Sequence, residues 1–105
     1  MKYWYYDILD EYGEVVEGDG KLDEIITDFY YLSEEEGSFF GLENGENEIL
    51  QFSLCQDKWV ADIPRPKEDG SFQKILDYDK CTVLIEEFYN TKRINKEGFT
   101  FETYS

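Results

Sequence analysis

Residues 48–66 read Glu48-Ile49-Leu50-Gln51-Phe52-Ser53-Leu54-Cys55-Gln56-Asp57-Lys58-Trp59-Val60-Ala61-Asp62-Ile63-Pro64-Arg65-Pro66. The order of apolar and polar side chains in this stretch decides the fold class. Leu50, Phe52 and Leu54 recur at every second position, a polar turn follows at Gln56, Asp57 and Lys58, and Trp59, Ala61 and Ile63 resume the alternation. A period of two places each set on one side of an extended chain, so this is the pattern of two antiparallel strands with one face on a core. Pro64 and Pro66 are expected to close the second strand, because neither supplies the backbone N–H that a ladder uses.

Working outward, residues 38–43 carry Phe39, Phe40 and Leu42 and lead into Asn44-Gly45, a pair that tolerates positive φ and is a strong hairpin signal. Residues 38–63 therefore read as a three-stranded meander. Downstream, a turn at Glu68–Ser71 precedes a strand over 72–77. Asp79 is then the expected N-cap of a helix whose stripe is Cys81, Leu84, Ile85, Phe88 and Tyr89, with Asn90 as terminator. Phe99 and Phe101 suggest a last strand. Upstream, residues 2–9 are rich in strand-forming Tyr, Trp and Ile, and residues 14–17 around Val15 and Val16 could pair back after a turn. Gly18, Asp19 and Gly20 break the chain before a helical spacing at Leu22, Ile25, Ile26 and Phe29, which should end before Gly37. The sum is one α+β domain, mainly an antiparallel sheet of about six strands with two helices packed on one face.

Charge narrows the functions open to such a domain. The 105 residues hold 25 acids, ten bases and no histidine, a net charge of -15 that can hardly change near neutral pH. Direct binding to nucleic acid or anionic lipid is disfavoured, since phosphates are held by clustered Lys and Arg. A basic partner is the natural complement. The imbalance is also uneven: residues 1–48 hold 15 acids and two lysines, net -13, whereas residues 49–105 hold ten acids and eight bases, net -2. Tyr3, Trp4, Tyr5, Tyr6, Tyr12, Tyr30 and Tyr31 run through the acidic part, more rings than one strand face and one helix stripe can bury. Carboxylates interleaved with tyrosine suit an interface, where charge steers association and buried rings supply short-range energy.

No pattern for catalysis is present. Ser or Cys nucleophiles lack a histidine base. Asp77 with Asp79, or Glu86 with Glu87, are the carboxylate pairs to consider for acid and base work, but neither belongs to a motif. The acid runs do not have the ligand spacing of a calcium loop. Cys55 and Cys81 stand alone and are read as small buried hydrophobes in a reducing compartment. Asp62 shares the face of Val60 and is read as solvent-facing or paired with Arg65. Asp7 and Asp10 interrupt the apolar residues of the N-terminus, so no signal peptide or membrane span is read there. The expectation is a cytoplasmic protein that is not an enzyme and uses no cofactor or metal.

Leu50–Pro66, followed by Gly70-Ser71-Phe72 and by the helical Tyr78-Asp79-Lys80-Cys81 through Glu86-Glu87-Phe88-Tyr89, resembles part of a family of bacterial immunity proteins. Such families accompany polymorphic and contact-dependent growth inhibition toxins. The resemblance covers about half the chain, and residues 1–48 lie outside it. It implies a cytoplasmic protein that occludes a cognate toxin domain, with no catalytic residue carried over. Joined to the charge, it points to a basic toxin, for example a nuclease, with acids standing in for phosphates. The expected contact surface is Asp7, Asp10, Glu11, Tyr12, Glu14, Glu34, Glu35 and Glu36, with Tyr31 as aromatic anchor. The alternative is a DNA-mimic inhibitor or acidic adaptor that turns the same surface toward a nuclease or DNA-binding protein.

Overall fold

The computed structural model describes residues 1–10, 13–46 and 48–104. Strands β4 (Ile49–Cys55) and β5 (Lys58–Arg65) form where the alternation places them, with Leu54 opposite Trp59 and Phe52 opposite Ala61. They are joined through Gln56 and Asp57, both left-handed at φ 52° and 67°. Two consecutive positive φ values match the twist of the flanking strands and make the tightest hairpin connection.

The sheet grows from this pair in both directions. On one side β3 (Phe39–Glu43) pairs with β4, β1 (Lys2–Tyr6) with β3, and β2 (Val16–Asp19) with β1. On the other, β6 (Gly70–Leu76) pairs with β5 and β7 (Thr100–Thr103) with β6. The result is one open antiparallel sheet of seven strands in the order β2-β1-β3-β4-β5-β6-β7, one more than the count read from sequence. With helices α1 (Leu22–Tyr31) and α2 (Tyr78–Thr91) it makes a single compact α+β domain.

Both helices bury their apolar stripes against the same sheet face. Phe40, Leu42, Leu50, Phe52, Leu54, Trp59, Ala61 and Ile63 are all buried there, together with Ile25 and Phe29 of α1 and Cys81, Leu84, Ile85 and Phe88 of α2. Phe29 sits at the centre, its ring 5.1 Å from Phe40, 5.6 Å from Phe52, 5.0 Å from Trp59 and 5.2 Å from Tyr78. The opposite face has no helix over it, and its residues Gln51, Ser53, Val60 and Asp62 keep solvent contact. Nε1 of Trp59 is a buried donor with no hydrogen-bond partner among the described residues, a cost of about 1–3 kcal/mol.

Several boundaries differ from the sequence reading, each for a local reason. Strand β2 begins at Val16, and Gly18 and Asp19 lie within it, opposite Tyr3 and Lys2; the break falls at Gly20 alone. The Asn44-Gly45 pair does close a hairpin, but not through its own positive φ values. Asn44 is buried and its Oδ1 accepts from the N–H groups of Glu46 and Glu48, so a side chain organises a longer loop. Pro64 does not end β5 but sits inside it opposite Ser71, past the last β4 partner at Asp62, where a missing N–H interrupts no second ladder. The N-cap of α2 is Asp77, which accepts from Lys80 N–H at 2.8 Å, and not Asp79. Asn90 lies inside that helix, whose end is a left-handed Lys92.

The two thiols part company. Cys81 is fully buried, and burial, with the Asp77 charge adding to it, pushes its pKa up to about 12. Cys55 is exposed, contrary to expectation, because its position in the alternation turns it away from the Leu54 side. A maleimide at neutral pH should therefore label Cys55 within minutes and leave Cys81 unmodified until denaturant is added, as intact-mass measurement would show. Double labelling of the folded protein would contradict the placement of Cys81. Asp62 pairs not with Arg65 but accepts from Ser71 Oγ and Gln73 Nε2, each at 3.0 Å, while Arg65 bridges to Glu48 at 3.1 Å.

Candidate interaction surface

The register places one end of the sheet at Tyr6, Val16, Phe39, Cys55 and Leu76, and the chain crosses that end in four segments. These are the loop after β1, the loop between α1 and β3, the β4–β5 turn, and the start of α2. Helix α1 runs toward this end because it begins after β2 has returned to the opposite one. Asp7, Asp10, Glu14, Glu34, Glu35 and Glu36 all fall in these segments, and so do Asp57, Asp77 and Asp79. Lys58 and Lys80 are the bases among them. The acids of the opposite end differ in company: Glu43, Glu46 and Glu48 share it with Lys2, Arg65, Lys92 and the N-terminal amine.

Contacts hold the first two segments against each other. Ile8 N–H donates to Ser38 Oγ at 3.1 Å, and a Cβ at Gly37 would stand 3.3 Å from the Ile8 side chain. Asp7 is the clasp. Its carboxylate accepts from Ser33 Oγ at 2.5 Å, Ser33 N–H at 3.0 Å and Leu9 N–H at 2.9 Å, and Ser33 Oγ lies 3.0 Å from Ser38 Oγ. These bonds also explain why α1 stops at Tyr31 and does not run on toward Gly37: beyond an extended Leu32, the Ser33 N–H is taken by Asp7. Half-buried and accepting three hydrogen bonds, Asp7 shapes this end of the domain by tying the loop after β1 to the loop before β3.

Burial disfavours the charged form of Asp7, yet the bonds from Ser33 and Leu9 outweigh it and hold the carboxyl below its ordinary value. A depressed folded-state pKa means stability that is present above the unfolded value and lost as pH falls through the folded one. Asp7→Asn is expected to cost about 1–2 kcal/mol at neutral pH. It should also shrink the further loss seen between about pH 5 and pH 3 in urea titrations. An unchanged acid limb would show that Asp7 is not a linked group.

Rings reach from the core to this end in sequence. Tyr78 stacks on Phe29 at 5.2 Å with planes 5° apart, Tyr30 lies 6.5 Å from Tyr78 edge-on, and Tyr31 lies 5.2 Å from Tyr30. Tyr30 and Tyr31 are 67% and 75% exposed. Burial, then Tyr30 and the carboxylates of Asp79 and Glu34, raise the pKa of the Tyr78 hydroxyl. Between Glu34, Asp57, Trp59, Ile75, Asp77 and Tyr78 lies a shallow depression of about 450 Å³. Ile8 and Leu9 add exposed aliphatic surface, with Val15 and Val16 at the start of β2.

Of the expected contact residues, Asp10, Glu14, Tyr31, Glu34, Glu35 and Glu36 are exposed at this end; Glu11 and Tyr12 lie outside the described residues. Tyr30, Leu9, Asp57 and Asp79 belong to the same surface and were not singled out. Asp57 and Asp79 come from the half of the chain that is nearly neutral, and only the β4–β5 register and the direction of α2 bring them here. Other N-terminal acids point elsewhere: Asp19 binds the N-terminal amine at 2.9 Å, and Asp28 accepts from Tyr3 Oη at 2.6 Å.

Among the described residues no group of three or more His, Cys, Asp or Glu side chains is placed to hold a metal ion, and no helix is long and apolar enough to cross a membrane. Asp77 is committed to capping α2, and Glu86 and Glu87 are exposed on its outer side. No family model, curated protein or solved structure matches the chain.

Proposed function

We propose that this chain is an immunity-type binding protein that neutralises a cognate basic toxin domain by covering it, acting in the cytoplasm and performing no chemistry of its own. The observation that carries this reading is the company of Tyr30, Tyr31, Ile8 and Leu9, all exposed, with Asp10, Glu14, Glu34, Glu35 and Glu36 at one end of the domain. Carboxylates alone would serve as a solvated coat. Solvent-exposed rings and aliphatic side chains set among them are what a partner must desolvate to bind tightly. A nuclease fits best, because a site shaped for phosphates offers Lys and Arg to these acids.

The test is co-expression with the product of the adjacent upstream reading frame. The pair should co-purify, and the purified chain should abolish the toxicity of that product's C-terminal domain when supplied in equal amount. Retained toxicity in a mixture shown to contain both folded proteins overturns the proposal. An acidic mimic directed at a DNA-binding protein would instead release its target in the presence of duplex DNA and would require no upstream partner.

A further inference from the structure

A second recognition feature lies away from the acidic end, on the sheet face that no helix covers. Trp4 points to that face: it stands opposite Glu17 in β2 and Gly41 in β3, whereas its neighbours Tyr3 and Tyr5 pack toward the core. The indole lies across Gly41, where an added Cβ would come within 2.3 Å of Cε2 and 2.5 Å of Nε1. Glycine at that position lets the ring settle on the β3 backbone. Covering Gly41 occupies one side of the indole; the other looks outward, and Trp4 is only half-buried.

Carboxylates outnumber bases on the outward side. Glu17 is the direct cross-strand neighbour, and Asp19 and Glu43 flank Lys2 on the same face. Together with Lys2, the one base among them, they line a shallow depression of about 540 Å³ with Trp4 in it, so three carboxylates face a single side-chain ammonium. Asp19 is held by the N-terminal amine, but Glu17 and Glu43 make no ion pair among the described residues. Stacked Tyr6 and Phe39, 5.5 Å apart, extend the aromatic strip along the same strands.

A half-buried indole with carboxylates beside its accessible side matches one side chain in particular. A guanidinium is planar and weakly hydrated, so it stacks on an aromatic face while its N–H groups reach carboxylate oxygens in its own plane. An ammonium is a compact, strongly hydrated charge and gains less from the ring. A second copy of this chain is a poor occupant, because each copy carries a net charge of -15. We propose that the uncovered face of β2, β1 and β3 docks arginine side chains of a basic protein, one guanidinium stacking on Trp4 while Glu17 and Glu43 accept its N–H groups. That the partner is basic rests on the function proposed above; the site is separate from the acidic end.

The experiment follows the Trp4 indole N–H resonance by NMR in the full chain during titration with a capped tetra-arginine peptide, and with the tetra-lysine peptide of equal charge. Trp4→Phe, which keeps a ring over Gly41, identifies the signal. Tetra-arginine should shift it with an affinity about three- to tenfold above that of tetra-lysine. Glu17→Gln with Glu43→Gln should bring the two peptides level, whereas Glu34→Gln, Glu35→Gln and Glu36→Gln together should preserve the preference for arginine. A silent Trp4, equal affinity for both peptides, or a preference lost only with the changes at 34–36 each overturn the site. Self-association as the cause of the shift would appear as dependence on protein concentration without peptide, and would also overturn it. Because the readout is Trp4 itself, failure here leaves the acidic-end reading to its own co-expression test.

Discussion

Exchanging Glu14, Glu34, Glu35 and Glu36 for lysine is expected to slow association with the basic partner by about ten- to a hundredfold at low ionic strength, with a much smaller change in dissociation. Each exchange moves the charge by two, so the net charge of -15 becomes -7. All four side chains are exposed, so the fold should tolerate the exchange. Long-range attraction raises the rate of encounter, and screening weakens it, so the salt dependence of the association rate should flatten as well. The control is a second variant with lysine at Glu68, Glu86, Glu87 and Glu97, exposed positions away from the acidic end that give the same net charge. If stopped-flow mixing finds both variants slowed alike, only total charge matters and the acidic end is not the contact.

Phe29→Ala is expected to cost about 3–5 kcal/mol, a large share of the roughly 5–15 kcal/mol that holds a domain of this kind together. The side chain is fully buried and touches four other rings drawn from β3, β4, β5 and the start of α2. Truncation leaves a cavity among rigid aromatic groups, which close around a void less readily than aliphatic chains do. It also removes the support under Tyr78, and through it under Tyr30, so the acidic end should loosen with the core. Urea unfolding followed by far-UV circular dichroism measures the loss. Tyr31→Ala, with its ring 75% exposed, is the comparison and should stay within about 0.5 kcal/mol of the parent. A loss below about 2 kcal/mol for Phe29→Ala would mean that Phe29 is not the centre of the packing.

The strands were legible where one face is buried and the other is not. In residues 49–65 the alternation places Leu50, Phe52, Leu54, Trp59, Ala61 and Ile63 on the covered side, and all six are buried. The same rule would have turned Cys55 outward. Helix α2 was legible from its stripe, but its start was misplaced by two residues because Asp77 and Asp79 are equally good caps on paper. The extended conformation of Asp77, φ -80° and ψ 171°, selects between them. Of the end of α1 only its falling before Gly37 was legible; that it comes as early as Tyr31 depends on Asp7 reaching Ser33 from 26 residues away. Of the candidate surface, the exposure of Tyr31 and the Glu34–Glu36 run followed from an excess of rings and acids over what a core accepts. The contribution of Asp57 and Asp79 did not.

By itself the sequence determined an antiparallel sheet, two amphipathic helices, a net charge of -15 and a surplus of aromatic residues, because periodicity and composition are properties of the chain read locally. Only the tertiary structure decided that β1 lies between β2 and β3, that Trp4 rests on Gly41, and which carboxylates share an end with Tyr30 and Tyr31. Strand order and register are set by which distant faces bury best against one another. A charge therefore acquires its neighbours only when the sheet is assembled.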